Sequence, residues 1–341
     1  MKKSKRYLGV DLHRTQFTVC ERNEKGEEKL CRYHIKELEE FASKLDRNVE
    51  IAVEATGNTK FFCDVVKKKA GKLVVINPHQ FKVISKSVKK TDENDAKTIA
   101  LFLEKDMLPE IRMKDDLHAK ISSLVQTREK LVRLRTALKN KINNIFSSNM
   151  MPLEKESMSS EKGLRKILSA TFDPITDVEL RVMVSEIRNL NNSIKELDDA
   201  IAENGNKLEG HKNLTSIKGI GDKGSAILLS VIGNVHDFSN KNKLAAYFGI
   251  VPRVSNSNET VHHGRITKNG SKIGRSTLVQ CSLIAKRYCK PLRDYHERIK
   301  SRRGGGKVNI ALARKFLDII YYTLKNDKVF EDFPTFKLVE S

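Results

Sequence analysis

At 341 residues the chain is long enough to bury a large core and to divide into two or three domains. Hydrophobic content of 39% and charged content of 31% describe a soluble protein; no apolar run approaches a membrane span, and the opening residues MKKSKRYLGVDL lack the apolar stretch of a signal peptide. Lys and Arg outnumber Asp and Glu by 64 to 43, and a balance of +21 points to a polyanionic partner; because the cations do not keep to one face of an amphipathic helix, nucleic acid is expected rather than a membrane.

The charge is unevenly spread. Residues 1–110 hold 23 basic and 18 acidic side chains, whereas residues 211–320 hold 21 and 6, so attraction to phosphates should concentrate in the C-terminal third. Five cysteines (Cys20, Cys31, Cys63, Cys281 and Cys289) form no CxxC pair and are odd in number, which predicts reduced thiols and no zinc site.

The first elements read as an α/β domain. Tyr7–Asp11 is a short apolar run ending in an acid, Gln16–Cys20 has strand composition, and Lys29–His34 offers a third strand before a helix over Ile35–Leu45. Glu50–Glu54 repeats the first arrangement, a buried-strand run that delivers a carboxylate at its end. A turn at Ala55–Gly57, a helix over Asn58–Lys69, a strand over Lys72–Ile76 and a helix start at Asn77-Pro78 follow. This alternation predicts helices packed on a mixed sheet.

Lys89–Ala100, KKTDENDAKTIA, reads as the start of a helix whose first turn carries Asp92 and Asp95 on one face. Acids there also offset the helix dipole and cap free N–H groups, so the pair alone does not define a site. Together with Asp11 and Glu54 at strand ends, however, the four carboxylates form a set that a metal ion would stabilise. Mg2+ prefers such oxygen ligands, and two ions about 4 Å apart support phosphoryl displacement. GVDLHRTQFTV also has the outline of the phosphate-binding hairpin of actin-like ATPases, but Leu12-His13-Arg14 crowds the turn where glycine is wanted.

After Leu108-Pro109 the pattern becomes helical. Leu117, Ile121, Leu124, Leu131, Leu134, Leu138, Ile142 and Ile145 predict a long amphipathic helix, Asn149–Thr176 an irregular connection with a short helix, and Ile187, Leu190, Ile194, Leu197 and Ile201 a second helix packing back as a coiled-coil arm. The arm serves either as an internal spacer or for dimerisation.

Leu214–Gly224, LTSIKGIGDKG, has the turn of a helix–hairpin–helix element: Gly219 and Gly221 would expose N–H groups to a phosphate, with Lys218 and Lys223 adding charge, or would merely permit a tight turn. Arg253–Gly264 then reads as a polar loop bearing Ser255, Ser257, Thr260 and His262-His263, bordered by Arg265, Lys268, Lys272 and Arg275. A serine among cations can act as a nucleophile toward phosphate. Pro291 begins another helix, Arg302–Lys307 reads as a flexible basic loop, and Val308–Leu324 as a closing helix.

GVDLHRTQF, VEATGN, KTDENDA, IKGIG and LAAYFGIVPR followed by GRITKNGSK occur in an order that resembles the DEDD transposases of the insertion-sequence family called "one-ten", relatives of Piv-type DNA invertases. The resemblance spans nearly the whole chain. It implies a RuvC-like, ribonuclease H-like first domain (1–110) whose acids, carried over to Asp11, Glu54, Asp92 and Asp95, bind Mg2+. A helical coiled-coil region (111–205), a mostly helical C-terminal transposase domain (206–330) and a tail (331–341) would follow. It further implies a covalent phosphoserine intermediate, a composite site built from different protomers of a dimer, or a tetramer on DNA, and donor and target DNA chosen by a structured bridge RNA. The protein would act in the cytoplasm, at the nucleoid. Where relatives carry a Ser-Ser-Gly-Gly-like segment this chain has Ser255-Asn256-Ser257-Asn258, with Ser257 the better match and Ser255 the second. Two other functions fit the residues: a RuvC-like nuclease using water, and an architectural RNA- and DNA-binding protein without catalysis.

Overall fold

The β-branched and aromatic runs near the N-terminus form a sheet. In the computed structural model, which describes residues 4–78, 80, 81, 91–111, 113–153, 157–257 and 260–329, β1 (Arg6–Leu12), β2 (Gln16–Asn23) and β3 (Glu28–His34) make an antiparallel meander. β4 (Val49–Glu54) and β5 (Lys72–Ile76) extend it in parallel on the other side of β1, giving the order β3-β2-β1-β4-β5. Side chains alternate between faces along each strand. Leu8, Val10, Phe17, Val19 and Val53 pack on one face against α1 (Leu38–Ser43) and α2 (Thr59–Val66), around a ring cluster of Phe17, Tyr33, Phe41 and Phe62.

The other face presents Gly9, Cys20, Ala52 and Val74 to α3 (Asp92–Glu104), whose Ala96, Ile99, Ala100 and Leu103 are buried. α3 begins where Thr91, in extended conformation, accepts a hydrogen bond from the Asn94 amide at 3.3 Å, and its first turn carries Asp92, Glu93 and Asp95. Gly9 permits the close approach of this helix. A Cβ at that position would lie 2.2 Å from the Ala96 carbonyl oxygen and 2.3 Å from the Ala100 nitrogen.

Residues group into two compact units, Met1–Met113 and Lys114–Ser341. The second contains α4 (Asp116–Ser148), α5 (Glu161–Leu168), α6 (Pro174–Gly205), α7 (His211–Thr215), α8 (Asp222–Ile232), α9 (Lys241–Tyr247), a hairpin of β6 (Pro252–Ser257) and β7 (Thr260–Ile266), then α10 (Lys272–Tyr288), α11 (Lys290–Arg303) and α12 (Gly305–Lys325). α4 and α6 run antiparallel: Arg128 pairs with Asp198, Arg135 with Asn191 and Lys141 with Glu179. Apolar contacts hold the two ends of this pair. Ile142, Phe146, Val184 and Ile187 pack with α5 at one end, while Ile121, Val125 and Ile201 join Leu214, Leu228, Phe248, Leu312 and Phe316 in the main core at the other.

Three expectations are corrected. Leu134 is not in the helical seam; its side chain is 56% exposed, because the middle of the pair is held by the polar contacts just named. Arg253–Gly264 is not a simple loop, since Val254, Val261 and Ile266 lie in strands whose register pairs Ser257 with Thr260 and Pro252 with Ile266. Arg302–Lys307 is not a loop either: α11 continues through Arg303 and α12 begins at Gly305, with Gly304 alone between them. The tail, 331–341, and the helix expected just after Asn77-Pro78, apart from residues 78, 80 and 81, lie outside the described residues. Among the described residues no helix is long and apolar enough to cross a membrane.

Gly9→Ala should overpack the β1–α3 contact and destabilise the protein by about 3 kcal/mol, the upper end of the usual overpacking range. Urea denaturation should show a lower midpoint; an unchanged midpoint would mean that α3 is not held against Gly9.

Candidate active site

The parallel register Val10↔Val53 brings Asp11 and Glu54 to the same level at the carboxyl-terminal ends of adjacent strands. Asp11 lies two residues beyond Gly9 and Glu54 two beyond Ala52, so both are on the α3 side of the sheet. There the first turn of α3 supplies Asp92, and His13 Nε2 lies 3.1 Å from Asp11 Oδ2 and 3.3 Å from Asp92 Oδ1. Asp11, His13 and Asp92 each offer a ligand atom within 4.8 Å of the others. Glu93, although between the two expected acids, turns away to Arg32 at 3.2 Å.

Burial pushes the Asp11 carboxyl above its ordinary range; His13 opposes the shift, and the negative charges of Asp92 and Asp95 add to it. Glu54 and Asp95 are outside the three-residue group. Glu54 is half-buried at the end of β4, and Asp95 is in the same first turn of α3 as Asp92, near enough to act on Asp11. The donor set is mostly carboxylate oxygen with one imidazole nitrogen, which suits a hard or borderline divalent cation.

His13 is not among the site residues expected from sequence, where it figures only as bulk in the turn. The signal for it is period two: it follows Asp11 by two positions along the chain leaving β1. A second residue hidden from sequence reading is Asn58, whose Nδ2 donates to the carbonyl oxygens of His13 at 3.2 Å and Arg14 at 3.4 Å, fastening the turn that carries the imidazole. Thr59 Oγ1 in turn donates to the Glu54 carbonyl at 2.7 Å and accepts from the Thr56 amide at 2.7 Å, fixing the exit from β4. VEATGN and the Thr59 that follows it thus brace the backbone around two of the acids.

In the second unit, Ser257 ends β6 and Ser255 faces His262 in the ladder; the side chains of residues 255–263 lie outside the described ones, as do Asn258 and Glu259 entirely. Of the basic residues expected nearby, Arg253, Arg265, Lys268 and Lys272 are exposed. Arg275 is engaged within the fold, donating from Nη1 to the carbonyls of Phe248, Asn269 and Gly270 at 3.2, 3.0 and 3.2 Å, and burial lowers its pKa. Gly219 has φ +109, and a Cβ there would lie 2.7 Å from the Ala285 nitrogen, so this glycine seats the turn against α10; Gly221 faces open space. Lys218 is exposed, and Lys223 Nζ binds Asp198 at 3.0 Å.

The model of the DEDD transposases of IS110 matches residues 8–151, and a second, described as "Transposase IS116/IS110/IS902 family", matches residues 211–297. The chain resembles the transposases of the IS110 family over both stretches. The transposase is similar to the transposase for insertion sequence element IS1111A of Coxiella burnetii, with 25% identity over 332 residues covering 95% of this chain and 90% of that one. It is also similar to the pilin gene-inverting protein of Moraxella bovis, 25% identical over 349 residues and covering 96% and 98%. That likeness supports a DNA-recombining enzyme and implies a divalent metal, for which Asp11, His13 and Asp92 are a fitting donor group.

Because the folded state favours protonated Asp11, it binds more protons than the unfolded chain between the ordinary and raised pKa values, and stability falls as pH rises through that window. Thermal melting in chelator should show this fall in the wild type and a smaller one in Asp11→Asn. Added Mg2+ should raise the wild-type melting temperature but not that of the variant; an equal rise in both would place the cation elsewhere.

Proposed function

We propose that the transposase cuts and rejoins donor and target DNA under guidance of a structured bridge RNA, through a covalent phosphoserine intermediate. Its first domain, 1–110, is read as RuvC-like with Asp11, Glu54, Asp92 and Asp95 as ligands of Mg2+; 111–205 is the helical arm and 206–330 the transposase domain. The observation that carries this reading is the convergence of Asp11 and Asp92 on one imidazole nitrogen at the end of β1. Mutually repelling carboxylates, one of them with a raised pKa, are a site that a cation completes. When bound there, a divalent cation would lower the barrier to ionising an attacking hydroxyl and offset charge on the transferring phosphoryl group.

The chain's own residues divide the remaining roles. Ser257, with Ser255 second, supplies the hydroxyl that forms an ester with the phosphorus as a strand P–O bond breaks. Arg253, Arg265, Lys268 and Lys272 hold phosphates near the hairpin, Arg275 fixes its base, and the turn of Lys218, Gly219 and Gly221 contacts backbone, with Lys223 held by Asp198. Contacts of this kind position a strand without reading its bases, which supports delegating sequence choice to a paired RNA. Assembly as a dimer, or as a tetramer on DNA, follows from the family resemblance.

The test expresses the protein with its flanking noncoding DNA, supplies Mg2+ with labelled donor and target DNA, and resolves the products on a denaturing gel. A protease-sensitive DNA adduct should form in wild type and disappear in Ser257→Ala, while Asp92→Asn and Asp95→Asn should each lower cleavage by at least about a hundredfold, the scale of losing one transition-state stabiliser. Cleavage without an adduct would replace this reading by the water-using nuclease; binding of the cognate site with no cleavage would replace it by the architectural protein.

A further inference from the structure

A cleft of about 850 Å³ opens in the second unit between α9, α11, α12 and the foot of the β6–β7 hairpin. Its floor is apolar, with Ile250, Pro252, Ile266 and Ile310, and Pro252 and Ile266 are the ladder pair at the base of the strand that carries Ser257. Its walls carry Lys241, Arg298, Lys307, Arg314 and Lys315 against the carboxylates of Asp294 and Asp318, a cationic excess. Lys241 is neutralised by Asp318 at 3.2 Å, but among the described residues no carboxylate lies within salt-bridge range of Arg298, Lys307 or Arg314. Among the described residues Arg314 donates to the neutral Asn242 side chain, at 3.3 Å, and the Arg298 guanidinium lies over the Tyr295 ring, 5.7 Å from its centroid.

Arg298, Lys307 and Arg314 converge on one concavity and repel each other, and among the described residues the contacts of Arg298 and Arg314 are with neutral groups, the Tyr295 ring and Asn242. An anion relieves that repulsion. A bare anion would leave the apolar floor and the accessible part of the Tyr295 ring uncovered, whereas a nucleotide unit has both a charged backbone and a flat apolar base. A duplex keeps its base faces stacked inside, so Tyr295 can meet a base only on an unpaired strand. The volume falls in the range of sites that enclose small ligands, and suits one base with its flanking phosphates.

We propose that this cleft holds an unpaired nucleic-acid strand, one base against Tyr295 and the apolar floor, and successive phosphates on Arg298, Lys307 and Arg314. It rests on the reading of the chain as a nucleic-acid-processing enzyme but adds a site separate from the phosphate contacts assigned above. Its position at the hairpin foot suits it to grip a strand released from pairing beside the serine-bearing strand.

The test is fluorescence anisotropy of the full-length protein with a short labelled single-stranded DNA, the same sequence as RNA, and duplex DNA. The variant Arg298→Gln/Lys307→Gln/Arg314→Gln should weaken single-strand binding and lower its log–log salt slope by about two, since each phosphate contact on a single strand contributes about 0.7. Tyr295→Leu should cost about tenfold, and Tyr295→Phe should restore affinity to within about twofold, as expected of stacking. The tighter of the DNA and RNA arms identifies the strand held, and duplex affinity should respond least. Ultraviolet crosslinking of wild type to the single strand, independent of any variant's folding, should label the peptide containing Tyr295. An unchanged salt slope in a normally melting triple variant, a changed oligomeric state with unchanged binding, or crosslinks confined to other segments would each overturn the proposal. Strand cleavage reports separately on the proposed chemistry: its absence beside the binding changes above would remove that chemistry and leave this site.

Discussion

The contact between Gly9 and the backbone of α3 governs the first unit. It allows the helix to descend onto β1 until Ala96 and Ala100 touch the sheet, and only at that depth can the first turn bring Asp92 to the strand end that carries Asp11. Two carboxylates resist such an approach. Burial of Ile99 and Leu103 on the same helix contributes about 2 kcal/mol each, enough to hold two charges of like sign near one another in a half-exposed setting. The site is therefore a product of packing several residues away from it.

In the second unit the cations sort into those the fold consumes and those it leaves to a ligand. Arg128 and Lys223 share Asp198 and so tie α4 and α6 to the start of α8; Arg275 satisfies three carbonyls below the hairpin; Lys241 neutralises Asp318. Net charge alone overstates what is available to phosphate, because it counts these alongside Arg298, Lys307 and Arg314. The useful distinction is the presence or absence of an acidic neighbour.

Much of this arrangement is legible in the chain. Apolar runs that end in Asp11 and Glu54 announce strands and the residues at their tips, and the spacing of Ile121, Ile142, Ile187 and Ile201 announces the antiparallel helices, because periodicity survives wherever one face is buried. What escapes depends on contacts between residues far apart in sequence. Asn58 reaches His13 across 45 positions, and Arg128 reaches Asp198 across 70, with no local pattern in either case. The β6–β7 strands escape for another reason: SNSN is turn-like in composition, and the ladder to Val261 and Ile266 overrides that local preference.

The first unit is continuous from Met1 to Met113, with every strand of its sheet and the helix bearing Asp92 made from one uninterrupted segment. During synthesis a segment of this kind can fold once it clears the ribosome, before the strongly basic residues 211–320 have been translated. The acidic residues are thus able to come together in a nascent chain that still lacks its most basic stretch. The order of the units along the chain lets the acidic group assemble before the most basic third is made.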